Sequence, residues 1–257
     1  MEKLGAGNKK IKLIQSWQRS AKDRREAGVF IVEGIKMYKE APSDWVKEIY
    51  ITQKVLDELG EPEHTYYLVE DSVFEKISDT QTPQGVLTVL SRPEYDVEKI
   101  ICGESEKAQL ILILENIQDP GNLGTILRVG EAAGVTGIIM TKGTVDIFNP
   151  KVVRSTMGSI YRMPFAYTDN ISETVSALKK AGVTTYAAHL QGSEVYTEYD
   201  YSLPTAFLIG NEGNGLTDVA TQLADKRLLI PMEGSVESLN AGIATAVLIY
   251  EAHRQRT

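Results

Sequence analysis

At 257 residues the chain exceeds the usual single-domain length, so two domains, or one domain with an extension, are expected. Hydrophobic residues make up 42% and charged residues 24%, which excludes disordered, collagen-like and coiled-coil classes. The formal net charge of -8 argues against a protein that coats nucleic acid nonspecifically.

The amino-terminal segment departs from that balance. Residues 1–25 carry Lys3, Lys9, Lys10, Lys12, Arg19, Lys22, Arg24 and Arg25 against only Glu2 and Asp23. A phosphate-contacting patch is one reading of this run. A solvated helix face is the other, with Ile11, Ile14 and Trp17 turned inward at helical spacing. The start also lacks the apolar stretch of a secretory signal, and Cys102 is the single cysteine, so a cytoplasmic chain is expected. The longest apolar runs, 110–114 and 244–250, fall far short of the roughly 20 residues of a membrane helix, so no membrane partner is expected.

From 29 to 90, strand-like runs at 29–32, 46–52, 66–69 and 85–90 alternate with helix-like runs at 35–41 and 72–77, an α/β rhythm. The polar stretch that follows, with Pro93 and many charges, reads as a linker with at most a short turn of structure. The expected division is 1–92, a linker at 93–107, and 108–257. In the last part, apolar runs at 110–114, 137–140, 184–188, 206–209 and 227–230 are short enough for strands buried on both faces. Helical stretches are expected at 123–133, 150–157, 171–181, 216–224 and 239–254. Together these make a mostly parallel open sheet, whose ligands bind at loops beyond the strands' carboxyl ends.

Three such loops carry chemistry. The first runs from Glu115 to Arg128; turn and cap residues at 119–122 start a helix near Asn122 and leave Arg128 almost two turns inside it. A helix amino terminus and a guanidinium fork suit a phosphate, although a capped helix with a surface arginine explains the same residues. The second, Gly210-Asn-Glu-Gly-Asn-Gly215, lets the backbone approach a ligand, and its only charge is Glu212. Glu212 either orients a ribose hydroxyl or a cation, or caps the following helix. The spacing is not that of a dinucleotide loop. The third runs from Ile230 to Asn240: Ser238 and Asn240 bracket a helix start, and Ile230, Met232 and Leu239 supply apolar walls of the kind that hold a purine. His64, His189 and His253 are far apart, so no metal site is proposed.

In this order, the three loops resemble the three motifs of the SpoU/TrmH-type ribose methyltransferases of the SPOUT superfamily. Asn116 and 122–128 are similar to the first motif, 210–216 to the second, and Ile230-Pro-Met with Ser238-Leu-Asn240 to the third. The stretch 149–158, with Arg154, is similar to a further family segment near the active site. Phe30-Ile-Val-Glu-Gly34 and Thr82-Pro-Gln-Gly85 resemble the family's amino-terminal substrate-binding domain.

The resemblance implies a knotted (trefoil) parallel-sheet methyltransferase domain behind a smaller α/β RNA-binding domain, S-adenosylmethionine as cofactor, and a homodimer whose site draws on both subunits. It implies that Gly210, Ile230 and Leu239 hold the cofactor with Met232 beside them. RNA contacts are expected from Arg154, Lys9, Lys10, Arg24 and Arg25. The implied reaction is methyl transfer to a ribose 2'-hydroxyl of RNA, with 23S ribosomal RNA favoured over tRNA because many large-subunit enzymes carry the amino-terminal domain. A catalytically silent RNA-binding assembly factor is the rival from another class. Family proposals make Arg128 the base, but a guanidinium is a poor one. The expectation adopted is that Arg128 orients phosphate and stabilises alkoxide charge, while Asn122, Glu212, Ser238 and Asn240 position ribose and cofactor.

Overall fold

The computed structural model describes residues 3–103, 108–189 and 194–257. The chain forms two compact units, 1–93 with 146–161, and 94–145 with 162–257.

The first unit holds β1 (Lys3–Leu4), α1 (Lys9–Arg19), α2 (Ala21–Ala27), β2 (Val29–Glu33), α3 (Ile35–Glu40), β3 (Val46–Ile51), α4 (Gln53–Leu59), β4 (Tyr66–Val69), α5 (Asp71–Ile77) and β5 (Val86–Ser91). The sheet order is β1-β4-β3-β5-β2, with β5 antiparallel to both neighbours. Alternation sorts its side chains onto two faces. Ile31, Leu87 and Val89 meet Ile11 and Ile14 of α1 and Phe74 and Ile77 of α5; Ile49, Ile51 and Val86 meet Val55 and Leu56 of α4. The inward turn of Ile11, Ile14 and Trp17 is as the spacing predicted.

Each family-like stretch of this unit is fastened to the residues flanking the other. Glu33 accepts from the Ser78 and Thr80 hydroxyls at 2.7 and 2.8 Å and from the Asp79 N–H at 3.1 Å, and Gln84 Oε1 accepts the Ile35 N–H at 3.0 Å. Gly85 sits at φ +76°, where a Cβ would lie 2.6 Å from the Thr52 hydroxyl, so a side chain is barred twice.

The second unit begins with α6 (Val97–Cys102), where a linker was expected. Ile100 and Ile101 bury into this unit's core, so the stretch is a packed element; residues 104–107 of the expected linker lie outside those described. Then come β6 (Leu110–Leu114), α7 (Pro120–Ala133) and β7 (Gly137–Thr141). The chain next supplies α8 (Pro150–Ser155) to the first unit. Phe148 packs against Phe30, tilted, at 4.9 Å between ring centroids, and the Tyr161 hydroxyl donates to the Met37 carbonyl at 2.9 Å. A division at 93–107 alone misses this excursion, because sequence order carries no sign that 146–161 buries its aromatics elsewhere.

The second unit resumes with β8 (Phe165–Thr168), α9 (Ile171–Lys180), β9 (Thr184–Ala188), β10 (Glu194–Val195), β11 (Thr205–Ile209), α10 (Asp218–Leu223), β12 (Lys226–Leu229) and α11 (Ala241–Arg256). All five expected strands are present; β8 and β10, short edge strands, were not expected. Every pairing in the order β10-β12-β9-β11-β6-β7-β8 is parallel. One face packs on α6, α9 and α10 through Ile111, Ile113, Leu208, Val175 and Leu178. From β6 the chain proceeds outward through β7 and β8, then crosses to β9, and β11 enters between β9 and β6. The β6 and β11 loops therefore meet where strand order reverses, the crevice in which open α/β sheets bind ligands.

The carboxyl end is clamped by Arg256, whose guanidinium donates to the carbonyls of Tyr201, Ala108, Gln109 and Leu203 at 2.7–3.1 Å. Among the described residues, no helix is long and apolar enough to cross a membrane.

Candidate active site

Beyond β6 the chain needs a tight turn into α7, and it builds one from polar side chains. Asp119 caps the helix by accepting the Asn122 N–H at 2.7 Å, and Pro120 occupies its first turn. The helix therefore starts earlier than the expected position near Asn122, which becomes a buried first-turn residue.

Beyond β11 the 210–215 loop folds back on itself. The N–H groups of Asn211 and Gly215 each donate to the other's carbonyl at 3.0 and 2.9 Å. A Cβ on Gly210 would fall 2.1 Å from backbone atoms of Gly215 and Leu216, so only glycine fits.

Glu212 joins the two loops. Its Oε1 accepts from the Asp119 N–H at 3.0 Å and Asn122 Nδ2 at 2.9 Å, and its Oε2 accepts from the Gln118 N–H at 3.1 Å. Burial pushes its carboxyl up, but the hydrogen bonds from Asn122 and from backbone N–H groups outweigh this and hold it below the ordinary glutamate range. Glu212 thus neither caps the following helix nor points its oxygens away from the protein. Thr217 caps α10, and its N–H and hydroxyl bond Glu115, a buried residue that none of the expected site roles included. An acid directly after five apolar strand residues was the available signal.

The third loop closes the chain of contacts. Asn240 Nδ2 donates to Asn122 Oδ1 at 2.8 Å, while Asn240 Oδ1 accepts the N–H groups of Gly242 and Ile243, capping α11. Asn240, not Ser238, is the cap; Ser238 is exposed and without a hydrogen bond among the described residues.

A cavity of about 520 Å³ opens between the second and third loops. Gly210, Ile230, Met232 and Leu239 all line it, together with Glu212 and Ser238. Among the described residues, backbone groups of 230–239 make no hydrogen bond, so their donors and acceptors are open to a ligand or to solvent. Among the described residues, the lining carries Glu212 and Glu237 but no lysine or arginine, which favours a ligand with positive charge.

Arg128 is exposed and does not line the cavity, and it makes no hydrogen bond or ion pair among the described residues. It follows Gly121 and Gly124 by seven and four positions and so shares their helix face.

Residues 109–250 match the model of the SpoU rRNA Methylase family, and residues 8–88 match the MRM3-like substrate binding domain. This chain belongs to the SpoU rRNA Methylase family. Over 251 residues, 95% of this chain and 96% of the relative, it is 34% identical to the 23S rRNA (guanosine(2553)-2'-O)-methyltransferase RlmP of Bacillus subtilis. Among solved structures it resembles an AdoMet-bound rRNA methyltransferase from Sinorhizobium meliloti, with a TM-score of 0.88 and 30% identity over 100% of this chain and 98% of that one. It also resembles the SpoU methyltransferase AviRb from Streptomyces viridochromogenes in complex with AdoMet, with a TM-score of 0.87 and 27% identity over 97% and 98% of the two chains.

The five residues of this SpoU family member expected to touch RNA lie in its first unit and differ in what they can do. Lys9 and Arg25 are exposed and unpaired among the described residues. Lys10 is half-buried, bonded to Glu48 at 2.5 Å and 4.5 Å above the Tyr67 ring. Arg154 donates to the carbonyl and carboxylate of Asp79 at 3.0 and 3.2 Å and keeps about half its surface exposed. Arg24 overturns the expectation: it is 3% exposed, pairs with Asp146 at 2.5 Å and donates to the Trp17 carbonyl. A guanidinium so enclosed has no reach to a phosphate, and its work is to tie 146–161 to α1 and α2.

Proposed function

We propose that this chain is an RNA ribose 2'-O-methyltransferase that uses S-adenosylmethionine and acts on 23S ribosomal RNA. The observation that carries the reading is the hydrogen-bonded series Glu212–Asn122–Asn240, set beside a cavity whose 230–239 wall has its backbone groups unspent.

The residues present fit the cofactor. Apolar walls from Ile230, Met232 and Leu239 with open backbone groups suit an adenine, and anionic Glu212 and Glu237 suit a sulfonium. The bound cofactor supplies an electrophilic methyl group on sulfur and leaves as a neutral thioether.

The chain's own residues then place the acceptor. Arg128 holds an RNA phosphate through its guanidinium fork and offsets the charge that grows on the attacking 2'-oxygen as its proton passes to that phosphate. Asn122 and Asn240, each fixed by its partners, and the exposed Ser238 hydroxyl orient the ribose and the methyl donor. Lys9, Arg25 and Arg154 supply phosphate contacts from the first unit. Glu212 acts through Asn122 and the 118–119 backbone, as a positioning residue. The knotted path and the homodimer belong to this reading; exposed Ile243 and Tyr250, seven residues apart on α11, support a face that a second copy covers.

The test is transfer of a labelled methyl group from S-adenosylmethionine to transcripts of 23S rRNA and tRNA, followed by mapping of alkali-resistant linkages. One resistant linkage in 23S rRNA is expected. Methylation of tRNA alone would move the substrate assignment. Tight RNA binding without any cofactor-induced rise in melting temperature would favour the silent assembly factor.

A further inference from the structure

A second, smaller cavity of about 220 Å³ opens at the carboxyl ends of β6 and β11 and shares Asn211, Asn214, Gly215 and Leu216 with the larger one as a common wall. The rest of its lining includes Asn116, Gln118 and Thr217. Among the described residues, four carboxamides therefore line a space with no charged side chain.

Two of the polar residues are spent. Asn211 donates to the Asn116 carbonyl and accepts the N–H groups of Gly213 and Asn214, while Thr217 bonds Glu115 and caps α10. Three groups remain open among the described residues. Asn116 uses its Oδ1 to accept from the Thr141 hydroxyl, which leaves its Nδ2; the carboxamides of Gln118 and Asn214 make no hydrogen bond at all.

The chemistry of this set narrows the ligand. A phosphate would meet no cation, a metal ion no carboxylate, and an apolar ligand little beyond Leu216. Neutral donors and acceptors set side by side match the edge of a nucleobase, which asparagine and glutamine pair in two-bond fashion. RNA is read in this way at bases lifted from the stack.

We infer that this cleft takes one unstacked nucleobase of the RNA substrate by its hydrogen-bonding edge, with Gln118 and Asn214 selecting the base. The inference rests on the RNA methyltransferase reading and adds base selection to it. It also explains the placement of the loop: the N–H groups of Gln118 and Asp119 are bolted to Glu212, the carboxylate that holds Asn122. A base seated against Gln118 is thereby registered to the Asn122–Asn240 pair.

The experiment is a titration of the isotope-labelled full chain with AMP, GMP, CMP, UMP and ribose 5-phosphate, following the side-chain amide resonances of Asn116, Gln118 and Asn214. One base is expected to move them most, and ribose 5-phosphate not to move them. Gln118→Ala should weaken that response by about tenfold. Gln118→Glu, which exchanges the amide donor for an acceptor, should reorder the four bases, an outcome that a purely structural glutamine does not produce. Equal movement with ribose 5-phosphate, or no movement with any nucleotide, overturns the inference. Calorimetry with S-adenosylhomocysteine, the thioether left when S-adenosylmethionine gives up its methyl group, on the same sample separates the two readings: cofactor-site affinity without a base response sinks only the base cleft, and a base response without that affinity sinks only the methyltransferase.

Discussion

Asn240 donates from Nδ2 to Oδ1 of Asn122 at 2.8 Å, joining residues 118 positions apart in the chain. Neither amide is free to flip. Asn240 must present its oxygen to the amino terminus of α11, and Asn122 must present its nitrogen to Glu212. A helix end and a carboxylate thus fix the polarity of both groups before any ligand arrives.

Two substitutions at Asn240 separate its roles. Asn240→Ala removes the cap and the link, costing about 1 kcal/mol of stability and most of the methyl transfer. Asn240→Ser keeps a capping oxygen but offers no Nδ2 to Asn122. Stability measured by denaturant unfolding should recover in the serine variant while turnover stays low; equal turnover in serine and wild type would remove Asn240 from the ribose site.

Glu212 makes the protein sensitive to acid. Its folded carboxyl titrates below the ordinary glutamate value of 4.5, so its contribution is complete above that pH and is lost as pH falls through the lowered folded value. Glu212→Gln should flatten this part of the acid limb in stability-versus-pH curves. At neutral pH it should cost about 1 kcal/mol, because an amide nitrogen then faces a backbone N–H donor. An unchanged acid limb would show that Glu212 is not held as described.

Gly210→Ala places a methyl group against the Gly215 and Leu216 backbone, and the loop must open to admit it. A loss of about 3 kcal/mol is expected, since overpacking against backbone finds no flexible neighbour to yield. Thermal shift with S-adenosylmethionine should show little or no stabilisation. A normal cofactor shift would mean that the loop's closed form is dispensable for binding.

Arg24 and Arg25 are neighbours with opposite expected behaviour. Arg24→Met strands Asp146 and two backbone carbonyls, for a loss of about 2–3 kcal/mol, less than a fully buried pair because Asp146 is a quarter exposed. Arg25→Met should leave stability within about 0.5 kcal/mol but lower RNA affinity and flatten its salt dependence. Chemical denaturation and filter binding at several salt concentrations measure the two effects, and the reverse pattern would contradict both assignments.

Arg128→Lys keeps the charge and removes the fork. Turnover should fall by about tenfold or more, with RNA affinity little changed. Near-normal single-turnover rates in the lysine variant would show that charge alone suffices.

Period and punctuation in the sequence determined the five central strands, the helices between them and the three loops, because buried parallel strands read as apolar runs and glycine and asparagine mark the turns between them. Gly210, Ile230, Met232 and Leu239 were legible as a set through the family resemblance, and one cavity holds all four. Tertiary structure alone decided which polar group serves which neighbour. Glu212 and Asn122 lie 90 positions apart, and nothing in local spacing says that a loop carboxylate spends both oxygens on another loop. The same holds for Arg24: one charge in a basic run was drawn inside by Asp146, while Arg25 beside it stayed in solvent. Composition counts charges, but only packing determines which of them lose water, and that loss separates a structural arginine from one free to meet RNA.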